Sequence, residues 1–286
     1  MRVRVAEHLG MCFGVKDAIE LALDLTRRQP LTILGDLVHN PDVVAEMDAA
    51  GAARARRQDE VRTTAVLLTA HGTSDRVKLD LRGQGREVHD ATCPLVTRVH
   101  LALRRLVAEG RHPVVIGQPT HVEVRGLVGD LDEYTIVFQE ADVEQLEPRL
   151  WVNPRAALGV VSQTTQPLER VLELVRAIRD RYPQADVRFI DTVCQPTKDR
   201  QQSLRDLVEE SDVVIVVGGP DSNNSRKLVE LAHRLGRAAH LVAGPSELRR
   251  EWFAGCRVVG LTAGTSTPDR VIDEVKDWLE KLAPAG

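Results

Sequence analysis

Short apolar runs recur along the chain, each followed by a polar turn and then by apolar positions at helical spacing. Residues 31–34, 66–69, 114–116, 159–161, 213–217 and 258–262 are such runs, and Val3 and Val5 alternate in another. Val15, Ala18, Ile19, Ala22 and Leu23 then fall on one helical face. So do Val96, Val99, Leu103, Leu106 and Val107, then Leu168, Val171, Leu172 and Val175, and later Leu204, Leu207 and Val208. A further helix is predicted over residues 226–235. Strands that alternate with helices at this rhythm predict parallel sheets, and in such sheets ligands bind beyond the carboxyl ends of the strands.

The polar residues at those ends carry the candidate chemistry. In 86–99, REVHDATCPLVTRV, a strand-like run stops at Cys93 and a helix begins at once, with Pro94 suited to a first helical position. A thiol there sits at the positive end of a helix dipole, which favours thiolate. Cys12 and Cys194 repeat the arrangement, and Asp90-x-x-Cys93 and Asp191-x-x-Cys194 share a spelling. Three equivalent cysteines look like three ligands brought to one point by three similar units. Cys256 precedes a strand instead of ending one and reads as a structural thiol.

His39, His71 and His121 each follow a strand-like run, and TAHGTS and TAGTS look like internal repeats of a strand end turning into a helix. Ser222, Asn224, Ser266 and Thr164 suit helix N-caps, and the same geometry suits a phosphate. Glu123, two residues after His121, makes a proton relay possible. Mixed Cys/His zinc is arguable from the ligand types, but Cys-x-x-Cys pairs are lacking. Three thiolates suit a four-iron, four-sulfur cluster with one open iron, a Lewis acid for a substrate oxygen.

Hydrophobic content of 43% with only 3% aromatic means that Val, Leu, Ile and Ala build the core, and 286 residues allow one to three domains. A net charge of -4 argues against a nucleic-acid partner. The opening residues lack a signal-peptide core, no apolar run reaches membrane-span length, and four scattered cysteines point to a reducing cytoplasm. Residues 130–155, with Pro148 and Pro154, are too mixed to read as a linker. Boundaries are placed near the cysteines instead: 13–92, 93–193 and 194–286, with 1–12 added to the last.

GMCFGV, LVHN, AHG, DATCPLVT-x-VH, HVEV-x-G, SQTT, SNNS and TAGTS, in this order over nearly the whole chain, resemble the 4-hydroxy-3-methylbut-2-enyl diphosphate reductases, the LytB or IspH family. The resemblance implies a trefoil of three similar parallel-sheet α/β domains around a central iron-sulfur cluster, with the N-terminal strand joined to the third. It implies Cys12, Cys93 and Cys194 as cluster ligands, and His39, His71, Ser222, Asn224 and Ser266 as diphosphate ligands. His121, Glu123 and Thr164 would stand nearest the reacting carbon. The implied reaction is reductive dehydroxylation of the allylic alcohol diphosphate to isopentenyl and dimethylallyl diphosphates. No Gly-x-Gly-x-x-Gly fingerprint is present, so a ferredoxin or flavodoxin is the implied electron donor. The chain departs from the family pattern at Phe13, Gln118, Val122, Gln195 and Pro196. Two other readings are open: a diverged paralogue reducing another allylic or aryl alcohol, and a non-catalytic iron-sulfur sensor.

Overall fold

The structure is a computed structural model and describes residues 1–146 and 156–282. Twelve strands occur among these residues: β1 (Arg2–Val5), β2 (Leu31–Leu34), β3 (Ala53–Ala55), β4 (Ala65–Leu68), β5 (Glu87–Asp90), β6 (His112–Ile116), β7 (Thr135–Val137), β8 (Ala157–Ser162), β9 (Asp186–Phe189), β10 (Val213–Val217), β11 (Ala238–Val242) and β12 (Val258–Ala263). The α-helices among the described residues are α1 (Phe13–Arg28), α2 (Pro41–Ala49), α3 (Asp75–Gly83), α4 (Pro94–Ala108), α5 (Val122–Val128), α6 (Leu168–Arg181), α7 (Gln195–Glu210), α8 (Asn223–Arg234) and α9 (Asp269–Leu282). Among the described residues no helix is long and apolar enough to cross a membrane.

All strand pairing is parallel and falls into three four-stranded sheets, ordered β1-β12-β10-β11, β5-β4-β2-β3 and β9-β8-β6-β7. The three are copies of one plan. After the third strand of each, a glycine N–H reaches the end of the fourth: Gly218 to Val242 O at 2.9 Å, Gly35 to Ala55 O at 2.8 Å and Gly117 to Val137 O at 3.1 Å. After the second, Gly264 and Gln163 donate to Val217 and Ile116 at the ends of the third strands, and Ala70 donates to Leu37 in the loop beyond β2. The N-terminal strand is therefore the outer strand of the last sheet, with Val3 beside Val259.

The chain separates into two compact units. One contains Met1–Ile19, Val38–Ala50 and the described residues from Gln195 onward, and holds the β1-β12-β10-β11 sheet. Its central strand explains why 213–217 reads as an unbroken apolar run. Val213, Ile215 and Val217 pack with Val271, Val275 and Leu279 of α9, while Val214 and Val216 pack with Leu204, Leu207 and Leu228 of α7 and α8. Both faces of the strand are buried, as parallel sheets require. Each such Val or Leu contributes roughly 1.5–3 kcal/mol by leaving water.

The other unit contains Glu20–Leu37 and the described residues of Gly51–Cys194, and holds the remaining two sheets. Val114, Ile116, Leu158 and Val160 pack against Val171, Leu174 and Ile178 of α6. On the opposite face Val115 and Val161 meet Leu103, Leu106 and Leu127 of α4 and α5. Gly159 is small because Leu106 lies over it: an added Cβ would stand 2.7 Å from Leu106 Cβ.

Local differences from the sequence reading have simple causes. Val107 is 37% exposed, because its neighbour Leu106 takes the place over the sheet in that turn. The helix expected over 226–235 begins at Asn223, since Ser222 caps it and draws the two asparagines into its first turn. Within 130–155, β7 adds an edge to β6 and a 3-10 helix covers Glu140–Leu146. Pro148 and Pro154 lie outside the described residues.

Candidate active site

Each cysteine stands immediately before a helix, in the loop that follows an outer strand: Cys12 between β1 and α1, Cys93 between β5 and α4, Cys194 between β9 and α7. Pro94 is the first residue of its helix and Pro196 the second of its own, where a missing N–H leaves no bond unmade. The backbone N–H of each cysteine donates at 3.0 Å to the loop that ends the neighbouring strand. Cys12 reaches Thr265 O, Cys93 reaches Ala70 O and Cys194 reaches Thr164 O. The acceptors are next to Ser266, next to His71, and Thr164 itself, so the backbone of every cysteine is tied to a loop that carries a candidate substrate residue.

In the unit that contains Cys93 and Cys194 these bonds extend to a buried acid. Glu123 is 2% exposed. Its Oε1 accepts from the Thr164 N–H at 2.7 Å and its Oε2 from the Thr164 hydroxyl at 2.9 Å. Burial nonetheless pushes the carboxyl up to about 7, because desolvation of the anion outweighs both bonds. His121 caps α5, its Nδ1 accepting from the Glu123 N–H at 3.2 Å. The neutral ring then carries its proton on Nε2. His71 sits on the turn after β4, where Gly72 takes φ +75°, a left-handed value open to glycine. The His71 and His121 rings meet edge to face with centroids 5.8 Å apart.

The other unit gathers Cys12, His39, Ser222, Asn224 and Ser266 at the ends of β10 and β12. Ser266 donates its hydroxyl to His39 O at 3.2 Å. Gly219 lets the loop after β10 lie on the His39 loop, since an added Cβ would stand 2.8 Å from His39 O. Ser222 fills the cap role, its Oγ accepting from Ser225 N at 3.3 Å. Asn224 is different. It is 3% exposed, and its Nδ2 is buried without a hydrogen-bond partner. A buried amide donor in that state costs about 1–3 kcal/mol unless a ligand accepts from it.

Sequence reasoning missed Arg200, a buried guanidinium on α7 that donates to Pro196 O at 2.9 Å and to Gly10 O, bracing the turn before Cys12. It also missed Asp130, whose carboxylate holds the first turn of α3. Arg200 shares its buried helix face with Thr197, Gln201 and Ser203 as well as Leu204, so its charge did not stand out, and Asp130 gave no signal either. Among the departures from the family pattern, Phe13 is 48% and Val122 38% exposed. Cys256 lies against the hydrophobic core below β12, where burial pushes its thiol up and Asp212 adds to the effect.

All four cysteines are outside disulfides. The donors at Cys12, Cys93 and Cys194 are soft sulfurs at helix starts, a chemistry that fits an iron-sulfur cluster. Among the described residues no three His, Cys, Asp or Glu side chains are grouped so as to hold a metal ion. Assignment of a cluster therefore rests on the repeated junction and on kinship.

The fold and its junctions define an α/β protein of three repeated parallel-sheet modules, each presenting one thiol at a helix start, with a buried acid bonded to the loop that carries one of them. The family model described as LytB protein matches residues 3–280. A 4-hydroxy-3-methylbut-2-enyl diphosphate reductase of Ectopseudomonas mendocina is 37% identical, the alignment covering 100% of this chain and 92% of the relative. The reductase of the same name from Acidithiobacillus ferrooxidans is 37% identical, over 98% of this chain and 89% of the relative. Among solved structures, the E-1-hydroxy-2-methyl-but-2-enyl-4-diphosphate reductase of Plasmodium falciparum superposes with a TM-score of 0.92 at 25% identity, covering 99% of this chain and 89% of that one. A structure of (E)-4-hydroxy-3-methyl-but-2-enyl diphosphate reductase, described as the terminal enzyme of the non-mevalonate pathway, gives 0.69 at 34% identity, over 98% and 100%. The chain belongs to the LytB family.

Proposed function

We propose that this chain reductively dehydroxylates 4-hydroxy-3-methylbut-2-enyl diphosphate to isopentenyl and dimethylallyl diphosphates. The observation that carries the reading is Glu123: a carboxyl with a pKa of about 7, enclosed and bonded twice to the residue whose carbonyl holds Cys194. Cys12, Cys93 and Cys194 would hold a four-iron, four-sulfur cluster with one open iron, which supplies electrons and a Lewis-acidic site when bound.

The chain's own residues supply the rest. Loss of hydroxide needs a proton, and Glu123 can keep one at neutral pH. Oε1 is occupied by an N–H donor, so the proton belongs on Oε2, from which the Thr164 hydroxyl can pass it toward a leaving oxygen. The His121 Nε2–H is a further donor. At the other end of the substrate, the Asn224 amide and the Ser222 and Ser266 hydroxyls, with His39 and His71, would take the diphosphate through many modest bonds. The sensor reading leaves a raised, enclosed acid without a use. Reducing equivalents would come from a ferredoxin or flavodoxin, and thiols outside disulfides agree with a reducing cytoplasm.

Anaerobic turnover with reduced viologen, followed by separation of the two product diphosphates, tests the proposal. Both products should form. Binding of the substrate without either product would favour the sensor, and turnover confined to a different alcohol would favour the paralogue.

A further inference from the structure

The loop that carries His71 lies along α5 in register, within the unit that contains both. The His71 ring meets the His121 ring at the start of α5. Farther along, Gly126 faces the backbone of residues 72 and 73: an added Cβ would stand 3.2 Å from Thr73 Cα and 3.3 Å from Gly72 O. Next, an added Cβ on Gly129 would stand 2.8 Å from Ser74 Cβ. At the end of the row Asp130 accepts from two backbone N–H groups at the start of α3, Asp75 N to Oδ2 at 2.7 Å and Arg76 N to Oδ1 at 2.9 Å. One carboxylate thus closes the far end of a row whose near end is the pair of candidate histidines.

We propose that Asp130 is a positioning residue: by clamping the first turn of α3 to the end of α5, it sets His71 relative to His121 and Glu123. The argument is mechanical. Residues 71–74 form no helix or strand; Gly72 N–H to Thr69 O at 3.1 Å and Thr69 Oγ1 to His71 Nδ1 at 3.4 Å hold the loop to the end of β4, and the contacts along the row hold its other side. The two glycines permit the close approach, since a Cβ on Gly129 would clash with Ser74 and one on Gly126 would push residues 72 and 73 outward, but they supply no attraction of their own. Both oxygens of Asp130 are engaged by N–H groups at the positive end of α3, which makes this the strong bond of the row. The Arg104–Asp75 and Lys78–Asp90 ion pairs anchor α3 to α4 and to β5. Neither ties it to α5, and α5 is the element that starts with His121 and Glu123.

The proposal rests on the reading of His71 as a diphosphate ligand, and a double-mutant cycle separates the two. Binding of inorganic diphosphate to the anaerobic, cluster-loaded protein is measured by calorimetry for wild type, Asp130→Ala, His71→Ala and the double variant. Asp130→Ala should bind roughly three- to tenfold more weakly, a fraction of what one charge-assisted hydrogen bond provides. In the His71→Ala background it should have no further effect. Asp130→Asn, which keeps one acceptor oxygen, should recover part of the loss, and Gly126→Ala should weaken binding by displacing the same loop. Additive losses in the cycle would overturn the positioning role and leave Asp130 a structural cap. Unchanged binding in His71→Ala alone would overturn the ligand reading and the positioning with it.

Discussion

Glu123→Gln isolates the proton from the shape of its carrier. An amide side chain can still accept from the Thr164 N–H and can donate to the Thr164 hydroxyl, so it imitates the protonated acid. The wild-type carboxyl rises from its ordinary value near 4.5 to about 7 on burial. That difference amounts to about 3 kcal/mol between protonation states. Its sign follows from linkage: between those two values the folded chain holds a proton that the unfolded chain has released. This group's contribution to stability therefore falls as pH rises through that window and is level above it. Glutamine has no such window. The stability difference between variant and wild type, from denaturant midpoints at about pH 5 and about pH 8, should shift toward the variant by about 2.5 kcal/mol as pH rises. Other titrating groups are common to both proteins and cancel. Turnover should decline in wild type as pH rises past about 7, because the acid form is being lost. In the variant, turnover should be lower by roughly 10²–10⁴-fold while the cluster absorbance is retained. Near-normal turnover in Glu123→Gln, or a stability difference independent of pH, would refute the assignment of this carboxyl as the proton source.

Cys12→Ser, Cys93→Ser and Cys194→Ser should each lose iron and brown colour after anaerobic purification, whereas Cys256→Ser should keep both; iron and sulfide assay decides. Asn224→Ala should weaken inorganic diphosphate roughly 10–100-fold, since its unpartnered buried Nδ2 gains a charged acceptor only in the complex; calorimetry with unchanged affinity would place the diphosphate elsewhere. Gly159→Ala should lower stability by about 1–3 kcal/mol in urea melts without changing diphosphate affinity, because its Cβ would press on Leu106 behind the sheet and away from the loops.

Apolar periodicity alone determined the α/β class and most of the strands, because a parallel strand buried on both faces must be an unbroken apolar run; 213–217 is the clearest case. The helix starts were also legible. Pro94 and Ser222 act within a few residues of themselves, and local chemistry is what a sequence displays directly. The placement of Cys12, Cys93 and Cys194 at strand-to-helix junctions was readable for the same reason. Tertiary structure decided what those junctions touch. That each cysteine N–H reaches the loop of the adjacent strand follows from sheet order, which sets residues 265, 70 and 164 beside residues distant in sequence. Residue pattern alone gave Glu123 only as an acid; the family resemblance implied an enclosed one that keeps its proton, and the burial itself depends on Thr164 and on packing from other elements. Asp130 and Arg200 were invisible in sequence: each bonds to backbone groups, which carry no residue identity, across a separation in chain that only the fold closes.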